Sequence, residues 1–318
     1  MSASRPDGAQ GSLLPDGKRL HLHHGPIDLI VEAWGSRAEI AAAYRQAQDA
    51  FADILTDLVD ELALLRTPAD QIRSDATGGV AQLMTGAVRA LDHPVITPRF
   101  VTPMAAVAGA VAEHVLARAI EGRAVSRAYV NNGGDIALHI ARGDFRIAIA
   151  DNPASAGGPG AVRVTARDAV RGVATSGWRG RSQSLGIADA VTVLARSPAV
   201  ADVAATLIAN AVDLPGSAKV GRRPANDIRS DSDLGDRHVT ISVGALSAGE
   251  RRDALDRGEA AAREFLDAGV IEAVFLGLQG GARTVARPHD MTDFAADHGG
   301  VARLAGLQKA LPGENRIQ

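Results

Sequence analysis

The chain contains no cysteine, so disulfides, zinc–thiolate sites and cysteine nucleophiles are excluded. Lysine is confined to Lys18, Lys219 and Lys309, and no G-x-x-x-x-G-K-[ST] occurs, which excludes a P-loop NTPase. Aromatic residues are 3% of the 318 residues, so the core must be built from Ala, Val, Leu and Ile. Charge of one sign is also missing. A formal net charge of −3 predicts neither a nucleic-acid binder nor a basic membrane-surface protein. The polar start, MSASRPDGAQGSLLPDGKRL, lacks the apolar run of a signal peptide, and no segment reads as long and uncharged enough to span a bilayer. A cytoplasmic protein acting on a small molecule is the expectation.

What is present is an α/β pattern. Residues 1–19 read as a loose tail, rich in Gly, Pro, Ser and Asp. A strand is expected over 26–33. One long helix is expected from Ser36 to Leu65, with Ser36 and Glu39 spaced as a capping box and apolar residues at three- and four-residue steps. Met104 to Ile120 reads as a helix of very small residues, suited to close packing. Short runs rich in Val, Ile, Thr and Ala, parted by Gly, Asn and Asp, fill 126–195. They predict a mostly antiparallel sheet, with the clearest hairpin turning at 142–144. A helix from Pro198 with Ser197 as N-cap, a Gly/Pro-rich loop over 214–237, and a strand–helix–strand unit complete the pattern. The expected organisation is one domain over 20–297, with a small helix and tail over 298–318.

Three motifs carry chemistry. Asp202 and Thr206 stand four apart in ADVAAT on one helix face, two oxygen donors of the kind Mg²⁺ prefers. An aspartate near a helix N-terminus is also favoured by the helix dipole alone. ATSG (174–177) ends a strand in a turn whose amides and hydroxyls can hold a phosphate, or offer a carbonyl to a metal. In NNGGD (131–135) the two glycines permit positive φ or close approach of a ligand. The histidines suggest less: His21, His23 and His24 read as solvated edge residues, and His114 as a partly buried structural one. GLQGG (277–281) falls short of a dinucleotide-binding fingerprint.

Taken in order, PMAAVAGAVAE (103–113), VNNGGDIAL, GVATSG (172–177), SLGIADAVTVLA (184–195), ADVAATLIANAVD and SDLGDRHVT (232–240) resemble the FAD:protein FMN transferases, the ApbE proteins. The likeness is closer to an uncharacterised ApbE-like family, and it spans most of residues 20–285. It implies an α+β, T-fold-like single domain with a mostly antiparallel sheet and packed helices. It implies a Mg²⁺ site from Asp202, Thr206 and the Ala174 carbonyl. It also implies a flavin-nucleotide (FAD) site that includes Met104, Asn132, Gly133, Gly134, Asp135, Thr175, Ser176 and Gly177. Thr175, Ser176 and Asp189 are the catalytic candidates, and the chemistry would be transfer or hydrolysis at a phosphoryl group. Two departures stand out. Gly109 occupies the place of the family's lysine in G-x-I-A-K-G, and the H-I-x-D-P segment is replaced by WRGRSQSLGIAD, with Arg181 where relatives have histidine. A non-catalytic flavin or small-molecule binding protein is the first alternative. A metal-independent enzyme leaning on Ser182, Ser184, Asp189, Arg179 and Arg181 is the second. The small-residue helix leaves room for a homodimer.

Overall fold

The computed structural model describes residues 8–149 and 160–287, together with the short strands 296–297, 301–302 and 316–317. The strands of the main body are β1 Gln10–Leu13, β2 Leu20–His24, β3 Ile27–Gly35, β4 Val125–Asn132, β5 Asp135–Ile140, β6 Asp144–Ile149, β7 Gly160–Thr165, β8 Gly172–Ser176, β9 Ala190–Ala195, β10 Val220–Pro224, β11 His238–Val243, β12 Ala273–Leu278 and β13 Gly281–Ala286. The helices are α1 Arg37–Phe51, α2 Ile54–Asp60, α3 Leu62–Leu65, α4 Gly79–Arg89, α5 Val107–Ile120, α6 Pro198–Ala211, α7 Ala225–Ile228 and α8 Ala248–Asp267. Nine strands form one sheet in the order β1-β2-β3-β4-β5-β8-β9-β12-β13. Every pairing in it is antiparallel. The α+β class with a mostly antiparallel sheet therefore holds.

Side-chain alternation along the strands feeds two cores. Val130, Ala137, Ala174, Val191, Val193, Val274 and Leu276 face the helices. Their neighbours Tyr129, Ile136, Leu138, Val173, Leu194 and Phe275 face the opposite side, where Phe145, Ile147, Val162 and Val164 of the β6–β7 ribbon cover them. This corrects the expected hairpin. The chain does turn at 142–144, but β6 pairs with β7 rather than β5. The free edge of β5 is taken by β8 instead. Arg127 holds the turn by donating to the Asp144 carbonyl and stacking on Trp34 and Phe145.

Three further expectations change. Residues 10–13, expected in a loose tail, form the edge strand β1. Its side chains are all exposed, so main-chain ladder bonds and the turn closed by Leu14, Asp16 and Arg19 hold it. The long helix is broken into α1, α2 and α3, and the Glu61 carboxylate between the last two accepts from the Thr77 and Gly78 amides. Ser36 caps α1, but Glu39 turns away from the box to accept from the Ala124 amide. The 214–237 loop contains β10, which pairs with β11, and the short α7. The small helix and tail expected over 298–318 lie outside the described residues, save the strands at 301–302 and 316–317.

Among the described residues, Pro103–Ile120 is long and apolar enough to cross a membrane, against expectation. Half of it is buried, with Ala106, Ala110, Val111, Ala112 and Val115 in the helix-side core, so it reads as a core helix.

Candidate functional site

The helix α6 begins where the sequence placed it. Ser197 accepts from the Val200 amide, Pro198 occupies the first turn, and the Glu113 carboxylate accepts from Ser197 Oγ and the Ala199 amide. Small residues let α6 lie close to its neighbours. A Cβ on Gly172 of β8 would overlap Pro198 and come within 2.7 Å of the Ser197 carbonyl carbon. One on Gly109 of α5 would overlap the Pro198 carbonyl and come within 2.9 Å of Asp202 Cβ. The first turn of α5, the first turn of α6 and the start of β8 thus pack closely together.

Asp202 lies at this contact. Its Oδ2 accepts from the Gly109 amide at 2.9 Å. Asp135, the first residue of β5, accepts from the Thr175 amide at 3.2 Å. The structure therefore brings NNGGD, ATSG and ADVAAT together. Both residues are half-buried, and neither has an ion pair among the described residues. Burial raises the Asp202 pKa to about 7, against the opposing pull of the Gly109 and Ala108 amides. Burial also raises Asp135 well above the carboxylate range; the neighbouring Asp202 adds to this, and the Thr175 amide and Arg181 oppose it. Two neighbouring carboxylates that resist ionisation are a pair whose charged form a bound cation would stabilise.

The remaining candidates divide. Asn132 is buried and donates to the Ala108 carbonyl at 3.1 Å, tying the NNGGD turn to α5. Gly133 and Gly134 both have positive φ, at 64° and 114°, and the Gly134 amide donates to Asn131 Oδ1. Thr175 Oγ1 pairs with Thr192 Oγ1 at 2.9 Å, which turns that hydroxyl inward. Ser176 is half-buried at the strand end. Gly177 abuts the Ala188 and Asp189 carbonyls, where no side chain fits. Ala174 is fully buried with its methyl in the helix-side core. Thr206 lies one turn beyond Asp202 and is half-buried. Met104 packs half-buried against the core just before α5.

Asp189 behaves as a clamp. Oδ1 accepts from Trp178 Nε1 at 3.2 Å and Arg179 Nε at 2.7 Å, and Oδ2 accepts from the Gln279 amide at 2.6 Å. It holds the 177–183 segment to the β12–β13 turn, where Gln279 has a φ of 44°. Ser184 is likewise engaged, with Asn210 Oδ1 at 3.1 Å. We expect Asp189→Ala to cost about 3 kcal/mol, because three donors lose their acceptor in a buried place. Urea denaturation would measure it, and an unchanged midpoint would refute the clamp.

Elsewhere, His21 pairs with Asp28 at 3.1 Å, and no group of three metal-ligating side chains occurs among the described residues. A cavity of about 160 Å³ between α2, α4 and α5 is lined by Asp53, Asp57, Gly79 and His114. It contains none of the residues around Asp135 and Asp202. Residue patterns reveal neither the Asp135–Asp202 juxtaposition nor the Gly109 amide. The lone glycine in an alanine-rich helix is the available sign.

The family described as AbpE bacteria matches residues 11–284. A UPF0280 protein of Methanospirillum hungatei is 36% identical over 115 residues, covering 36% of this chain and 46% of that protein. One of Methanosphaerula palustris is 46% identical over 114 residues, covering 35% and 47%. The chain spans about half the length of the curated relatives it matches. Among solved structures, the apo flavinyl transferase ApbE of Pseudomonas stutzeri gives a TM-score of 0.38 at 14% identity, over 90% of this chain and 98% of that one. The flavin transferase ApbE of Vibrio cholerae gives 0.36 at 14% identity, over 88% and 98%. Those superpositions are too loose to transfer any residue's role.

Proposed function

The chain belongs to the AbpE bacteria family, and from that premise we propose that it binds a divalent cation at this site and acts there on a small phosphorylated ligand of the flavin-nucleotide type. The observation that supports this most is the unpaired carboxylate couple Asp135 and Asp202 beside the ATSG turn. The donor set fits Mg²⁺. The Asp202 carboxylate, the Thr206 hydroxyl one turn later and the Ala174 carbonyl are all hard oxygen ligands. Bound Mg²⁺ would neutralise charge developing on phosphate oxygens.

The chain's own residues would do the rest. The Gly109 amide orients Asp202, and the Thr175 amide orients Asp135. The positive-φ glycines of the NNGGD turn let a ligand approach bare backbone. Ser176 is the hydroxyl left to meet the ligand, since Thr175 is engaged by Thr192 and Asp189 is saturated. Gly109 in place of a lysine favours the second reading, a protein that binds such a ligand without turnover.

A thermal-shift titration with FAD, FMN and ADP, each with and without Mg²⁺, tests the proposal. A ligand at a hundred times its Kd stabilises the native state by about 2.7 kcal/mol. We expect a rise of several degrees that needs Mg²⁺. No Mg²⁺-dependent rise with any of the three would contradict the reading.

A further inference from the structure

Two arginines follow the ATSG turn, and they have different fates. Arg179 is committed: it pairs with Asp189 and stacks on Trp178 with its Cζ 4.7 Å from the ring centroid. Arg181 is exposed and makes neither an ion pair nor a hydrogen bond with a described residue. Its guanidinium lies against Gly133, in the space a Cβ there would occupy. The glycine at 133, favoured there by a φ of 64°, leaves room for it in this position. The same guanidinium is near enough to Asp135 to stabilise its charged form. An arginine without an ion pair among the described residues thus stands beside Gly133 and Asp135, next to Asp202.

We propose that Arg181 is the anion-binding residue of this site, and that the ligand presents a phosphoryl or diphosphoryl group bridging Arg181 and the cation at Asp202. The inference rests on the cation-site reading above and deepens it. A guanidinium offers paired N–H donors matched to phosphate geometry, and it stays charged at every relevant pH. Neutral ligands would gain nothing from Arg181.

Inorganic pyrophosphate is the probe, titrated calorimetrically into the full chain with Mg²⁺. We expect wild type to bind it, and Arg181→Gln to bind it about 10- to 100-fold more weakly. Mg²⁺ alone should bind Arg181→Gln no more weakly than wild type, because the residue lost is a cation. Arg181→Lys should recover part of the affinity. Equal pyrophosphate affinity in wild type and Arg181→Gln, or no binding by wild type, would overturn the inference. Arg181-dependent binding that is indifferent to Mg²⁺ or to Asp202→Asn would leave Arg181 in its role and overturn the cation-site reading instead.

Discussion

Asp202→Asn is expected to raise the stability of the metal-free protein at pH 8 and to abolish its response to Mg²⁺. The physical reason is the cost of a buried charge. The unfolded Asp202 ionises near its ordinary value of 3.8, while the folded one does so at about 7. Below pH 4 both states are neutral at this position and no cost arises. Between 4 and 7 the native state holds a proton that the unfolded chain releases, so stability falls as pH rises. Above 7 both states are ionised and the native state carries the full penalty. A tenfold change in proton affinity is worth about 1.4 kcal/mol, so the rise of the Asp202 pKa sets an upper bound of about 4 kcal/mol. Asparagine keeps the size and an acceptor for the Gly109 amide and removes the charge. Removing it also relieves Asp135, whose ionisation the Asp202 charge opposes. We expect a gain of about 2–4 kcal/mol at pH 8, or roughly 3–6 °C, shrinking toward zero by pH 4. Mg²⁺ at pH 8 should reverse the order of the two proteins. Scanning calorimetry across pH measures this, and a variant less stable than wild type at pH 8 without metal would contradict it.

Gly109→Ala is expected to be strongly destabilising despite its small size. Helix propensity favours alanine by about 1 kcal/mol in a helix interior. That gain is overwhelmed here. The new methyl would overlap the Pro198 carbonyl oxygen, and it would lie 2.7 Å from the carbonyl carbon and 2.9 Å from Asp202 Cβ. The obstruction is the backbone of α6, which cannot rotate away like a side chain. Forced separation of well-packed elements costs about 1–3 kcal/mol and sometimes more. Separation would also pull the Gly109 amide off Asp202. We expect a loss of about 3 kcal/mol in urea denaturation, and weaker cation binding in whatever remains folded. Lysine at 109, the residue the ApbE resemblance leads one to expect, should do more harm still. An alanine variant as stable as wild type would show that α5 and α6 do not touch at this point.

How much of this is legible in the sequence depends on what each feature rests on. The antiparallel sheet and the small-residue helices are legible because their signals are local: Val, Ile and Ala runs in β5, β8 and β9, and Ser197-Pro198 opening α6. The expected hairpin between β5 and β6 fails because a short turn between apolar runs does not say which partner wins. β8 takes that edge, and β6 is needed to cover Ile136 and Leu138 from the other side. β1 escapes notice because an exposed edge strand held by main-chain bonds leaves no hydrophobic pattern. Asp202 and Thr206 stand out by spacing alone. Asp135 near Asp202, and Arg181 resting on Gly133, depend on the packing of distant segments, which no spacing reveals. Asp189 looks like a chemical group because it follows a polar, glycine-bearing segment, yet three donors occupy it.

The measurement that tests the central claim most directly is titration of the metal-free protein with Mn²⁺, a spectroscopic stand-in for Mg²⁺, followed by electron paramagnetic resonance at pH 8. The account predicts one Mn²⁺ bound per wild-type chain, displaced by excess Mg²⁺ and absent from Asp202→Asn. Equal Mn²⁺ binding by wild type and Asp202→Asn, or none by either, would contradict it.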